Sequence, residues 1–422
     1  MSVADDRAPN ERSILLLVAA VQFINICDFM MLAPLGPQLA RSIGIPESSL
    51  PDATAAYTFA AGIAGIIGST LLDRFDRRRA LAVTMIGLVL GTAAGGLATG
   101  LWSLVAARML AGAFGGPATS VSLAIIADVV PESRRGKAMG TVMGAFAAAS
   151  VLGVPLGIAA ADLGTWRTPL FALSIAGAVV TALVIALLPP LTGHQARASA
   201  TRPPLFPAEM LKRPAVIASY TMTALANVGM FVLIPNISTY VQNNLGLPTH
   251  QLKYMYLAGG VVSFFTTRLT GNLVDRFGTL RIGTLGTLLQ VIVVYVGFAN
   301  AHLLPWDTHL LASNYALFMS FMFANGVRNV AYSTLTTRVP RPEERARFMS
   351  LQSSMQHLSA SAGSSLSARL LGVTPTHALT GFDVVSWVCI TFAITMPPLM
   401  RAVERRLREG KEAALAVQRI GA

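Results

Sequence analysis

Apolar stretches of about twenty residues recur along the whole chain, separated by short polar connections rich in arginine, proline and serine. About twenty apolar residues in a helix cross a hydrocarbon layer of roughly 30 Å. The pattern predicts twelve spans, near 13–40, 52–72, 79–99, 101–128, 138–161, 168–190, 214–241, 251–274, 280–300, 309–337, 346–371 and 381–400. A β-barrel would show short alternating segments instead. Residues 191–213, "LTGHQARASATRPPLFPAEMLKR", lack an apolar period and read as a linker after the sixth span. The chain therefore divides into a bundle over 1–190, the linker over 191–213, a second bundle over 214–400, and a charged tail over 401–422.

Composition agrees with this class. The 422 residues are 53% hydrophobic and 12% charged, too little polar surface to coat a water-soluble protein of that length. Residues 13–40 are too long for a signal-peptide core and read as a retained first span. Cys27 and Cys389 both sit inside apolar runs, which points to small core residues and away from a disulfide framework.

The net charge of +12 first suggests nucleic acid, but the location of the charge excludes that partner. With the N-terminus inside, 25 of the 32 Lys and Arg fall on one face, while the other receives only Arg41, Arg167 and Lys253. Such an imbalance sets orientation. Both termini are expected in the cytoplasm, with the protein in the inner membrane. The basic face also suits anionic lipid.

Two segments repeat. "LLDRFDRRRAL" follows the second span and "LVDRFGTLRIG" the eighth; "PESRRGKAMG" after the fourth is echoed by "RPEERARFMS" after the tenth. Copies at matching places imply a duplicated unit of parallel topology. The expected fold is thus all-α, with twelve transmembrane helices in two six-helix bundles related by pseudo-two-fold symmetry.

In these residues the chain resembles the major facilitator superfamily over nearly its whole length. The family's loop between spans two and three runs Gly-x-Leu-x-Asp-Arg/Lys-x-Gly-Arg/Lys-Arg/Lys. Leu71, Asp73, Arg74, Arg77 and Arg78 match it, while Ser69 and Asp76 replace the two glycines. Asp tolerates a left-handed backbone better than most residues, so the turn is expected to survive at Asp76. The second copy keeps Gly271, Leu273, Asp275, Arg276 and Gly278. The resemblance implies a conformational latch at Asp73, Arg74, Arg77, Asp275 and Arg276. Asp128, ending the fourth span, is the expected acceptor for one of the loop arginines.

The candidate chemistry lies inside the spans. Asp28 is the only acid well within any of them, and a charge there is expensive. Gln22, Asn25 and Asp28 step by three, forming a polar row that faces protein or water. Arg108 lies about two turns below the outer end of the fourth span, at a level comparable with Asp28. A carboxylate and a guanidinium there offset each other's desolvation. Burial raises a carboxylate's pKa and a cation lowers it, so Asp28 is suited to bind and release a proton as access alternates. The alternative is an Asp28–Arg108 pair that fixes packing without titrating. An acid in the first span and "RMLAGAFGG" in the fourth resemble the superfamily's drug–proton antiporters. So does "GTVMGAFAAASVLGVPLG" in the fifth, where Gly140 and Gly144 favour close helix approach and Gly153, Pro155 and Gly157 a bend.

In the second half, Asn227, Phe231 and Asn236, with Asn325, Arg328, Gln356 and His357, are expected to join Gln22, Asn25 and Asp28 in a substrate site near the midplane. Arg328 suits an anionic group or a cluster of backbone carbonyls. The sequence shows no HExxH, no Gly-x-Ser-x-Gly and no phosphate-binding loop, so an enzyme or a nucleotide-driven pump is not expected. The reading is a monomeric secondary transporter without cofactor or metal, driven by the proton gradient. It exports drug-like compounds or metabolites in exchange for protons. The alternative is a proton-coupled uptake symporter for a sugar, amino acid or organic acid.

Overall fold

The computed structural model describes residues 11–71, 75–131, 134, 138, 139, 142, 144, 145, 148–191, 208–300, 311–341 and 344–420. Asp73, Arg74 and Gly140 lie outside them. The chain is a multi-pass helical membrane protein. Its helices are α1 (Glu11–Ile43), α2 (Leu50–Leu71), α3 (Arg77–Gly96), α4 (Leu101–Val129), α5 (Val154–Asp162) and α6 (Thr168–Leu187). They continue with α7 (Pro214–Leu233), α8 (Thr249–Phe277), α9 (Thr279–Val294), α10 (Leu311–Thr336), α11 (Arg345–Leu370) and α12 (Phe382–Ile394). Among the described residues eight helices are long and apolar enough to cross a membrane. The helices α8, α10 and α11 are as long but more polar, and they occupy the expected eighth, tenth and eleventh spans.

Two compact units result, Met1–Pro203 with Pro248–Leu257, and Pro204–Leu247 with Ala258–Ala422. In the first, α4 packs along α2 and α3, and α3 along α6. The approach of α2 to α4 is close because Gly112 and Gly116 carry no side chain. A Cβ on Gly116 would stand 2.6 Å from the Ala61 carbonyl oxygen, and one on Gly112 would run into the Tyr57 carbonyl. In the second unit, α7 packs on α11 and α12, and α9 on α10.

Proline explains two irregularities. Ala149–Gly153 form a π-helical turn ahead of Pro155. The proline has no N–H and its ring crowds the preceding turn, and a widened turn accommodates both. In the seventh span, Pro235 breaks the helix: a 3₁₀ turn at Ile234–Asn236 separates α7 from Ile237–Asn243.

Three details add to the expected all-α fold. First, a short two-stranded antiparallel ribbon, β1 (Gly372–Val373) and β2 (Leu379–Thr380), joins α11 to α12. Asn244 clamps it, donating to the Leu379 carbonyl and accepting from the Leu379 N–H. Second, Asp76 does not use a left-handed backbone; its φ is −55° and ψ 128°. It is the N-cap of α3, its carboxylate accepting from the Arg78 N–H at 3.1 Å and from the Leu191 N–H at 2.8 Å. A short carboxylate satisfies free amides at a helix start, so Asp has a positive role where the resemblance implied glycine. The left-handed residue is in the other copy, Gly278, with φ +87°. Third, Gly144 makes no close helix approach: it is exposed, with open space where a Cβ would stand. Close packing of the fifth span falls instead to Gly153, against Cys27, and Gly157, against Met31.

Candidate functional site

Asp28 lies in the middle of α1, whose apolar sequence buries it completely, at 0% exposure. Arg108, carried on α4, is buried with it at 2%. Arg108 Nη1 donates to Asp28 Oδ1 at 3.0 Å and Oδ2 at 3.1 Å, and Nη2 reaches the Asp28 backbone carbonyl at 3.3 Å. Thr92 on α3 donates to Oδ1 at 2.7 Å. Tyr57 on α2 lays its ring against the guanidinium, 4.5 Å from the ring centre. An aromatic face attracts a desolvated cation, so the ring partly replaces the water Arg108 has lost.

The polar contacts continue along α1. The Tyr57 hydroxyl donates to Asn25 Oδ1 at 3.0 Å. Asn25 Nδ2 donates to the Gly115 carbonyl at 2.8 Å and to Thr119 Oγ1 at 2.7 Å. Thr119 Oγ1 stands 3.3 Å from Gln22 Oε1. Gln22 and Asn25 are therefore buried and bonded inside the first unit, where they tie α1 to α2 and α4. Tyr57, Thr92 and Thr119 were missing from the sequence reading. The available signal was their position as hydroxyl groups within apolar helices that must pack on α1.

The carboxylate has two side-chain donors and is fully buried. The guanidinium cannot give up its own charge, and the two groups compensate each other. Removing one member alone would leave a buried, uncompensated charge.

The second unit presents the opposite situation. Arg328 on α10 is buried at 2%, flanked on its helix by the core residues Val327 and Ala331. Its backbone is fixed by α9: a Cβ on Gly286 would meet the Arg328 amide nitrogen at 2.6 Å. Among the described residues its guanidinium makes no ion pair and no hydrogen bond, and its Nε is sealed without a partner. Its charge acts on Tyr332, one turn along, and on the Cys389 thiol of α12. The Tyr332 hydroxyl lies beside Asn227 and 3.5 Å from Gln356 Nε2. The structure thus gathers Asn227, Arg328, Tyr332 and Gln356 from α7, α10 and α11.

The other expected residues are scattered. Phe231 is half-buried, its carbonyl 3.5 Å from the Ser364 hydroxyl. Asn236 is buried at the break after α7 and donates to Ser367 Oγ at 2.8 Å. Asn325 and His357 are half-buried, and the His357 ring makes no hydrogen bond among the described residues. Of the expected latch, Arg77 Nε donates to Asp128 Oδ2 at 3.1 Å. Asp275 and Arg276 are exposed at the end of α8 and form no ion pair among the described residues. Arg276 instead stands over the Phe277 ring at 5.2 Å. Among the described residues no group of His, Cys, Asp and Glu could hold a metal.

Comparison with known proteins places this geometry. The family model described as "Major Facilitator Superfamily" matches residues 18–364. A chloramphenicol resistance protein of Streptomyces lividans is 27% identical over 369 residues, covering 85% of this chain and 89% of that one. The purine ribonucleoside efflux pump NepI of Escherichia coli K12 is 23% identical over 377 residues, covering 88% and 91%. Among solved structures, a bacterial homologue of the human lysosomal transporter Spinster, inward-facing and unoccupied, superposes with a TM-score of 0.74 at 15% identity, covering 94% of this chain and 97% of that one. A D-xylose–proton symporter gives 0.72 at 19%, covering 92% and 97%. At such identities the solved structures speak for the fold alone.

Proposed function

The chain belongs to the Major Facilitator Superfamily, and from that premise we propose that it is an inner-membrane exporter of small organic molecules, driven by proton entry through Asp28. Both termini face the cytoplasm in this reading, as the Lys and Arg distribution requires. The names of the two relatives, a resistance protein and an efflux pump, favour export as the direction.

One observation carries the mechanism: a fully buried carboxylate bonded to a fully buried guanidinium inside the first unit. With Arg108 on it, Asp28 is ionised and its charge compensated. When access opens to the outer, more acidic side, a proton takes the place of Arg108 at Oδ1 or Oδ2. Protonation removes the attraction, and the freed guanidinium needs another arrangement of its neighbours. Release of the proton inward restores the pair. Tyr57 and Asn25 keep Arg108 and α4 in register with α1 through the exchange. Neither end of this cycle needs a nucleotide.

Full-length protein in proteoliposomes tests it, with chloramphenicol and a purine ribonucleoside as probes. An imposed inward proton gradient should drive their release by the wild type and fail to do so for Asp28→Asn, which keeps the acceptor toward Arg108 and Thr92. Counterflow without a gradient should survive in that variant. Gradient-driven release at the wild-type rate by Asp28→Asn would eliminate the mechanism, and gradient-driven release running opposite to proton flow is what separates export from uptake by symport.

A further inference from the structure

We propose that Arg328 anchors a binding site for the single negative charge of an organic anion, and that amphipathic organic anions are a cargo class of this transporter. This rests on the transport reading above and adds the chemistry of the ligand. A guanidinium inside a membrane span is costly, and such groups normally pair with a carboxylate or with backbone carbonyls. Arg328 does neither among the described residues. A guanidinium cannot shed its proton to escape the cost. The missing partner is therefore an acceptor that arrives from outside the chain.

The surroundings define that acceptor. No acid pairs with Arg328 among the described residues, so the partner supplies the negative charge itself. Tyr332, which feels the Arg328 charge, and Asn227 and Gln356 at its hydroxyl add neutral hydrogen-bonding groups suited to the remaining oxygen lone pairs of a carboxylate. Val327 and Ala331, beside Arg328 in the apolar core, favour an organic body over a small hydrated ion. The tight contact of α9 against the Arg328 backbone fixes the root of the side chain, which lowers the ordering cost of binding. Exchange of a monoanion for one proton moves two charges inward, so an inside-negative potential should accelerate export.

The test uses purified full-length protein in chloride-free buffer. Benzoate, 1-naphthoate and 4-biphenylcarboxylate are each set beside their neutral amide, with binding measured directly. At least one carboxylate should bind saturably and at least ten-fold more tightly than its amide. Arg328→Gln should lose that preference, while Arg328→Lys keeps part of it. Amides binding as well as carboxylates, or a carboxylate preference unchanged in Arg328→Gln, would overturn the proposal. So would chloride alone occupying the site and no carboxylate displacing it. Should Arg328→Gln not fold, the carboxylate–amide comparison on the wild type and Arg328→Lys decides. Failure here, with Asp28→Asn still deaf to the proton gradient, removes the anion class and leaves proton-driven export standing. The reverse pair of results removes the coupling and leaves the anion site.

Discussion

The two units each bury an arginine on a helix that enters the bundle at its polar-poor middle, and they treat it differently. Arg108 has two carboxylate oxygens, a backbone carbonyl and an aromatic face, all from its own unit. Arg328 has a tyrosine and a thiol within electrostatic reach and no acceptor among the described residues. The residue type, burial and fold are alike, so the difference lies in the partner. In the reading proposed above, the compensated charge serves a small exchangeable ion, the proton, and the uncompensated one a larger group that carries its own charge, so that the two halves separate driving ion from cargo.

The widest gap between them should appear in stability. Asp28→Ala strands the Arg108 guanidinium and is expected to cost about 3–5 kcal/mol. Arg328→Gln removes a charge that nothing compensates, and its cost should stay under about 1 kcal/mol or turn into a gain. Thermal unfolding of the two variants in one detergent measures both. Equal losses would show that Arg328 has a hidden structural partner and would dissolve the contrast. The double variant Asp28→Ala with Arg108→Gln should recover part of the single loss, because contacting residues are not additive.

Next in size is the contrast between the two signature loops. Gly278 holds a left-handed φ of +87°, where a Cβ is strained by about 1–2 kcal/mol. Gly278→Ala should lose that amount, although nothing stands within 4 Å of the added carbon. Asp76→Ala should lose about 1 kcal/mol through a missing N-cap and a released contact with Leu191. Asp76→Gly should lose only a few tenths from the cap itself. Losses in the opposite order, measured by thermal unfolding, would mean that the first loop also needs glycine geometry.

Much of this was legible beforehand, for identifiable reasons. Hydrophobic length located the spans, and the repeated Asp-Arg-Phe located the halves. A three-residue step and a count of turns brought Asp28 to the level of Arg108, because both residues ride on regular helices. What escaped depends on neighbours. Tyr57 and Thr92 look like ordinary members of apolar helices until packing turns them onto Asp28. A glycine pair signals close approach only if a helix stands opposite, and among the described residues nothing lies within 4 Å of where a Gly144 Cβ would stand. The resemblance gave Asp76 a left-handed turn, and only the structure shows it capping α3 instead. The break at Pro235 follows from proline's missing N–H, while the span's length alone suggests an unbroken helix.

The smallest effects discriminate most finely, because a tyrosine stands beside each arginine. Tyr57→Phe keeps the ring under Arg108 and removes only the hydroxyl bonded to Asn25 at 3.0 Å. It should cost about 1 kcal/mol in thermal unfolding, since Asn25 Oδ1 is left buried without that donor. The hydroxyl of Tyr332 contacts Asn227 and, at 3.5 Å, Gln356. Tyr332→Phe should cost no more in thermal unfolding than Tyr57→Phe and weaken carboxylate binding several-fold, with amide binding unmoved. A Tyr332→Phe that loses stability and keeps its anion preference would assign the hydroxyl to the fold. The cluster around Arg328 would then be a second packed core resembling the one around Arg108, and the division of labour between the halves would go with it.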